Sequence, residues 1–220
     1  LFIGEEAKEN GAKTYKYADL RDASLTFKTI LENNRDENRI IGCYNGRVYF
    51  STKGYNWGEV RSCSIDNFND QTVIIPQVYT HLLTTTKFYE GYIICQYRTA
   101  AKYYLAVYDA AGKFIRKFDA PQGTSFALSF LDKENSQLFV TLQSFVIAPQ
   151  NFRLNLLTGE SDPYYNDYIR PKSTLFPLDR FETKRITYKS RDGVDVPMTI
   201  IHKKGTVQNG DNPLLLNGYG

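Results

Sequence analysis

Three stretches of the chain repeat the same order of short strand-like segments at intervals of about 42 residues, a period typical of β-propeller blades. The copies begin near Arg39, His81 and Thr124. Each copy opens with two segments of alternating apolar and polar residues joined by a tight polar turn, and further strand-like segments follow. Because a blade buries its two faces only against neighbouring blades, this repeat predicts a stack of antiparallel sheets.

The turns inside the copies carry residues suited to hairpins. They are Asn45-Gly46 in the first copy, Glu90-Gly91 in the second, and Lys133 to Ser136 in the third. Asn-Gly favours a two-residue hairpin, since both turn positions take a positive φ. Residues 1–31 contain three more strand-like segments, which we interpret as the end of an earlier blade. A β-sandwich with coincidental spacing is the alternative.

Composition agrees with a mostly β chain and gives no sign of a nucleic-acid or membrane partner. The sequence has 17 Tyr and 14 Phe, residues that favour strands, and its net charge is only +3. The basic residues form no stripe, and no apolar run approaches the roughly 18 residues that a membrane helix requires. Cys43, Cys63 and Cys95 lack metal-ligand spacing, so we expect neither a disulfide framework nor a metal site. Free cysteines of this kind are expected in a reducing compartment.

The pattern changes after Asp162, where three prolines, Pro163, Pro171 and Pro177, interrupt the strand-like segments. Strand patterns resume at residues 181–190 and 196–204, separated by a turn at Asp192-Gly193. A fully apolar run, residues 213–216, follows and predicts a buried strand. A hairpin followed by such a strand is typical of the start of an α/β sheet. We therefore predict two domains, residues 1–178 and 179–220.

Four short motifs follow one another in this second part. They are Phe181-Glu182-Thr183, Ser190-Arg191-Asp192-Gly193 followed by Val196-Pro197-Met198, Ile201-His202-Lys203-Lys204-Gly205, and Asn212-Pro213 through Gly218-Tyr219-Gly220. Together they resemble the entry into the catalytic domain of the prolyl oligopeptidase family of serine peptidases. More loosely, residues 144–159 resemble the last blade of the family's seven-bladed propeller.

The resemblance implies a mostly β fold, in which a partial seven-bladed-type β-propeller leads into the first strands of an α/β-hydrolase domain. It implies a serine endopeptidase that hydrolyses short peptides through an acyl-enzyme, and the His-Lys-Lys-Gly spelling favours cleavage after proline. No serine of the chain lies in a G-x-S-x-G elbow. We therefore expect a piece of a larger enzyme, cut before its nucleophile and inactive alone, with the true N-terminus also missing.

One catalytic group is implied within the chain. By its position in the last motif, Tyr219 corresponds to the family's tyrosine that hydrogen-bonds the oxyanion. A phenol suits this task because it is a neutral, directional donor. On the residues alone, a tyrosine that merely packs beside a turn is an equal alternative.

Other functions stay open at this point. The chain could belong to a non-catalytic propeller that binds peptides or protein partners, or to a relative that forms cyclic peptides. We expect a monomer that acts on short peptides, with no cofactor and no nucleic-acid or membrane partner. A cytoplasmic location is expected, with the periplasm or secretion left open.

Overall fold

The computed structural model describes residues 2–7, 12–34, 38–52, 56–100, 102–164 and 178–218. Within these ranges the chain forms seventeen β-strands and a short 3-10 helix, Leu178–Arg180, but no α-helix. Accordingly, no helix of the described ranges could cross a membrane.

The first blade is a three-stranded antiparallel sheet. Its strands are β1 (Phe2–Ala7), β2 (Lys13–Ala18) and β3 (Lys28–Asn34), in that spatial order. The three strand-like segments predicted in residues 1–31 are therefore confirmed, with boundaries shifted by one to three residues.

Three four-stranded antiparallel blades follow, each with its strands in chain order. The strands of the second blade are β4 (Arg39–Tyr44), β5 (Arg47–Thr52), β6 (Glu59–Ser64) and β7 (Asn67–Ile75). Those of the third blade are β8 (Leu82–Tyr89), β9 (Tyr92–Arg98), β10 (Tyr103–Asp109) and β11 (Phe114–Asp119). Those of the fourth blade are β12 (Ser125–Asp132), β13 (Gln137–Gln143), β14 (Gln150–Asn155) and β15 (Ser161–Pro163). The predicted repeat is confirmed, and the sandwich alternative is wrong because the strands form separate successive sheets.

The core lies between blades, and strand alternation decides which interface each side chain joins. On β9, Ile93, Cys95 and Tyr97 are buried in the apolar cluster shared with the second blade. Ile94, on the opposite face of the same strand, is buried in the cluster shared with the fourth blade. Both faces of the third blade are therefore covered, which explains why β9 is buried along almost its whole length.

The hairpin turns confirm the predictions from turn chemistry. Asn45 and Gly46 have φ values of 47° and 72°, and Glu90 and Gly91 have values of 43° and 97°. Positive φ at both positions is the conformation of a type I′ turn, whose twist matches that of the flanking strands. In the fourth blade, the Ser136 amide donates to the Lys133 carbonyl at 3.1 Å, closing the turn between β12 and β13.

Gly112 is the position where a turn of the third blade meets the backbone of the second blade. Its φ is +84°, and a Cβ atom there would overlap the carbonyl oxygen of Ile74 on β7. We expect Gly112→Ala to lower the free energy of unfolding by roughly 2 kcal/mol more than Gly46→Ala, as measured by urea denaturation. Gly46 is the matched control because its φ is +72° and no atom lies within 4 Å of the position that a Cβ would occupy. Equal losses for the two variants would contradict close packing of this turn.

A two-stranded antiparallel hairpin follows the blades, formed by β16 (Phe181–Lys189) and β17 (Asp195–Lys203), as predicted. The prediction of a buried strand at residues 213–216 is wrong. This segment forms no strand, and Leu214, Leu215 and Leu216 are 84%, 92% and 77% exposed. A short apolar strand is buried only inside a sheet covered on both faces, and none of the described strands pairs with this segment.

Candidate functional site

The predicted oxyanion donor, Tyr219, lies outside the described residues, so its role stays a prediction. The segment that leads to it is held by a local contact, in which the Asn212 side-chain amide donates to the Val207 carbonyl at 2.6 Å. Gly218 has no atom within 4 Å of the position that a Cβ would occupy. Residues 211–218 are all exposed to solvent.

The second motif, residues 190–193, forms the turn of the hairpin. The Gly193 amide donates to the Ser190 carbonyl at 3.0 Å, and the Ser190 amide donates to the Val194 carbonyl at 2.9 Å. The Asp192 carboxylate accepts hydrogen bonds from the Ser190 hydroxyl and the Val194 amide, and these bonds lower the pKa of Asp192. Ser190 therefore stabilises the turn, and its hydroxyl donates to a carboxylate rather than to a histidine base.

The third motif ends β17. The Lys203 carbonyl accepts hydrogen bonds from the Thr206 amide at 3.1 Å and from the Thr206 hydroxyl at 2.7 Å. The Nδ1 atom of His202 lies 3.0 Å from the same carbonyl and 3.6 Å from a carboxylate oxygen of Glu182 on β16. His202 therefore contacts a backbone carbonyl and a neighbouring carboxylate at the end of β17.

The other histidine belongs to an aromatic group where β8 and β10 begin. The Nδ1 atom of His81 lies 2.6 Å from the Tyr104 hydroxyl, and Tyr97 stacks on Tyr104 with ring centroids 5.1 Å apart. The Lys117 ammonium lies 4.5 Å from the centroid of the Tyr104 ring. Burial raises the pKa of Tyr104 to about 12, so its phenol is protonated at neutral pH and can donate to His81.

Two lysines neutralise an aspartate at the same end of the third blade. Lys102 and Lys117 place their ammonium groups 2.9 and 3.0 Å from one carboxylate oxygen of Asp119. Partial burial acts to raise the pKa of Asp119, but the hydrogen bonds from the two lysines outweigh it, and the pKa is lowered. This carboxylate is therefore ionised and paired at neutral pH.

A cavity of about 510 Å³ lies between the hairpin and the ends of the third and fourth blades. Thr183 and Arg185 on β16 and Thr199 on β17 form the hairpin wall. They share one face because residues 183 and 185 are two apart on a strand and Arg185 is the register partner of Thr199. Residues 122–125 and 143–145, beside the ends of β11, β12 and β13, line the opposite wall.

The cavity has a cationic and incompletely satisfied polar lining. Its charged lining residues are Lys102 and Arg185, and it is lined by no Asp or Glu among the described residues. The Thr183 hydroxyl oxygen and the Arg185 Nε atom are buried and have no hydrogen-bond partner. Sequence reasoning noticed Thr183 as part of a motif but missed Arg185 and the cavity, because the two walls are distant in the chain.

Metal chemistry has no candidate centre in this part of the chain. Across the described ranges, no group of three or more His, Cys, Asp or Glu residues could hold a metal ion.

Comparison with known proteins agrees with the fold and with the family that the motifs resemble. The family description "Prolyl oligopeptidase, N-terminal beta-propeller domain" matches residues 1–167. The prolyl endopeptidase of Elizabethkingia meningoseptica is 31% identical over 131 residues, which are 59% of this chain and 18% of that protein. The dual function macrocyclase-peptidase POPB of Amanita bisporigera is 27% identical over 210 residues, which are 89% of this chain and 27% of that protein.

Solved structures show the same architecture. Prolyl oligopeptidase B from Galerina marginata, bound to a 35mer hydrolysis and macrocyclization substrate, superposes with a TM-score of 0.73 at 19% identity. The match covers 94% of this chain and 31% of that one. The chain thus spans less than a third of the length of these relatives. With three quarters of its residues matched by the propeller description, the chain belongs to the prolyl oligopeptidase family.

Proposed function

We propose that this chain is part of a serine-type prolyl oligopeptidase that hydrolyses short peptides after proline through an acyl-enzyme. The observation that carries the proposal is the match of residues 1–167 to the family's propeller, followed by a hairpin bearing the motifs of the family's catalytic domain. A prolyl endopeptidase at 31% identity supports the choice of the prolyl branch.

In this proposal the chain contributes to two domains, residues 1–178 to the propeller and residues 179–220 to the start of an α/β-hydrolase domain. The nucleophilic serine, its histidine base and the orienting aspartate are supplied by residues after Gly220. Tyr219 donates its phenol proton to the oxyanion of the tetrahedral intermediate. The propeller restricts the site to short peptides, and the protein acts as a monomer.

A second candidate is acyl transfer to the amine of the same peptide, which yields a cyclic product. The similarity to a dual function macrocyclase-peptidase, at 27% identity over 210 residues, favours it. The two reactions share the acyl-enzyme and differ in whether water or the peptide amine attacks it. Both use the same residues of this chain.

A peptidase assay of the intact protein tests the proposal. We expect cleavage of a fluorogenic peptide with proline before the scissile bond, and much slower cleavage of the matched peptide with alanine there. Mass spectrometry of the products of a longer proline-containing peptide then separates a linear acid from a cyclic product lighter by one water. Absence of turnover of both peptides would overturn the proposal in favour of a non-catalytic, peptide-binding propeller.

We further propose a cytoplasmic location, which the cysteines support. Cys43, Cys63 and Cys95 are free thiols, and burial raises the pKa of Cys63 to about 11 and that of Cys95 to about 12. Free thiols persist in a reducing compartment, and a high pKa keeps them protonated and slow to react.

A further inference from the structure

We propose that the cavity between the hairpin and the blades is a binding site for the C-terminal carboxylate of a short peptide, with the Arg185 guanidinium as its receptor. The inference deepens the proposed function, on which it rests for the choice of a peptide ligand. The site is built by residues distinct from Tyr219 and from the turn motifs.

Two polar atoms of the hairpin wall without hydrogen-bond partners favour a carboxylate ligand. The Arg185 Nε and Thr183 Oγ1 atoms are both buried and both without a hydrogen-bond partner, on the same face of β16. Leaving a buried polar group unpaired is unfavourable, and more so for a charged group. A carboxylate satisfies a guanidinium through two parallel hydrogen bonds and can accept a further one from a hydroxyl. The chemistry of a carboxylate therefore suits both side chains.

The charged residues that line the cavity favour an anionic ligand. Of the two cations in the cavity, Lys102 is already paired with Asp119 at 2.9 Å. Arg185 has no ion-pair partner among the described residues, and none of them contributes an Asp or Glu to the lining. The unpaired positive charge therefore belongs to Arg185, and it selects an anion.

The other residues that line the cavity favour a peptide over a small inorganic anion. Gln122 and Gln143 offer side-chain amides that can donate to and accept from a peptide backbone. Tyr103, Phe145 and Pro149 supply apolar surface for side chains. The volume of about 510 Å³ lies within the range of ordinary small-molecule sites and exceeds what an inorganic anion fills.

Titration calorimetry with the intact protein tests the site. The probes are N-acetyl-trialanine with a free carboxylate, its C-terminal amide, and inorganic phosphate as a competitor. We expect the free acid to bind at least about ten-fold more tightly than the amide, since the charge-assisted pair is lost in the amide. Equal binding of acid and amide, or displacement by phosphate as effective as by the acid itself, would overturn the proposal.

Variants of β16 locate the effect. Arg185→Gln is expected to abolish the preference for the acid, whereas Lys184→Gln, the exposed neighbour on the opposite face, is expected to preserve it. An acetylated peptide amide whose last residue is glutamate separates a main-chain from a side-chain carboxylate. We expect it to bind as weakly as the other amide, and binding equal to that of the free acid would contradict C-terminal recognition.

A second substitution keeps the test decisive if Arg185→Gln impairs folding. Thr183→Val preserves the shape of the side chain and removes the hydroxyl, and we expect binding of the acid to fall about three- to ten-fold. Thr187→Val, at an exposed position of the same strand, is its control. Because the peptides lack proline and binding is measured without turnover, failure of this site is distinguishable from failure of the proposed peptidase activity.

Discussion

Replacing Tyr219 by phenylalanine in the intact protein is expected to lower kcat by about 10²–10³-fold, equivalent to roughly 3–4 kcal/mol of transition-state stabilisation. The phenol is proposed to donate to an oxygen that becomes negatively charged only in the transition state. The loss should therefore fall on kcat, with little change in KM. Steady-state kinetics with the fluorogenic proline peptide measures both parameters.

Tyr188→Phe is the matched control for Tyr219→Phe. Tyr188 lies on β16, is 46% exposed, and takes no part in the proposed site, so its replacement should leave kcat unchanged. A Tyr219→Phe variant with the parental kcat would show that this tyrosine merely packs beside the turn. A rise in KM without a fall in kcat would assign it to substrate binding instead.

Truncating either of two adjacent isoleucines on β9 is expected to destabilise the blades strongly. Ile93 and Ile94 are both 0% exposed, and each is packed in a different inter-blade cluster. Ile93→Ala and Ile94→Ala should each lower the free energy of unfolding by about 2–5 kcal/mol, because each removes buried methyl groups and leaves a cavity. Urea denaturation measures the loss.

The two isoleucine variants should differ in where the structure loosens. Ile93→Ala is expected to increase hydrogen exchange in β5 to β7 of the second blade, and Ile94→Ala in β12 to β14 of the fourth. Ile201→Ala on β17 is the control, since this side chain is 44% exposed and its loss should cost less than about 1 kcal/mol. The same exchange pattern for both core variants would contradict the assignment of the two faces of β9.

Much of the blade architecture could be predicted because its determinants are local. A hairpin at Asn45-Gly46 depends on two residues that accept positive φ, and the structure has φ values of 47° and 72° there. Strand positions depend on alternation over a few residues, and the predicted starts of the copies lie within one residue of Arg39, Leu82 and Ser125. The hairpin of β16 and β17 was predictable for the same reasons, through its Asp192-Gly193 turn.

The candidate site was far less predictable, because cavities form between segments distant in the chain. Tyr103 and Gln143 on the blade side and Arg185 on the hairpin line the same space, and no local pattern connects them. The prediction of a buried strand in the apolar run ending at Leu216 was wrong for a related reason. Apolar composition indicates a tendency to be buried, but burial itself requires neighbours that cover the strand.

The sequence by itself therefore determined the strands, their turns and their grouping into blades, since alternation and positive φ act over two to four residues. It also carried the motifs that indicate the family. Only the tertiary structure decided that Ile93 and Ile94 serve different inter-blade cores, that Leu214 to Leu216 lie exposed, and that Arg185 faces a cavity without an anionic partner among the described residues. Burial and charge pairing depend on which distant surfaces meet, and that is a property of the assembled sheets.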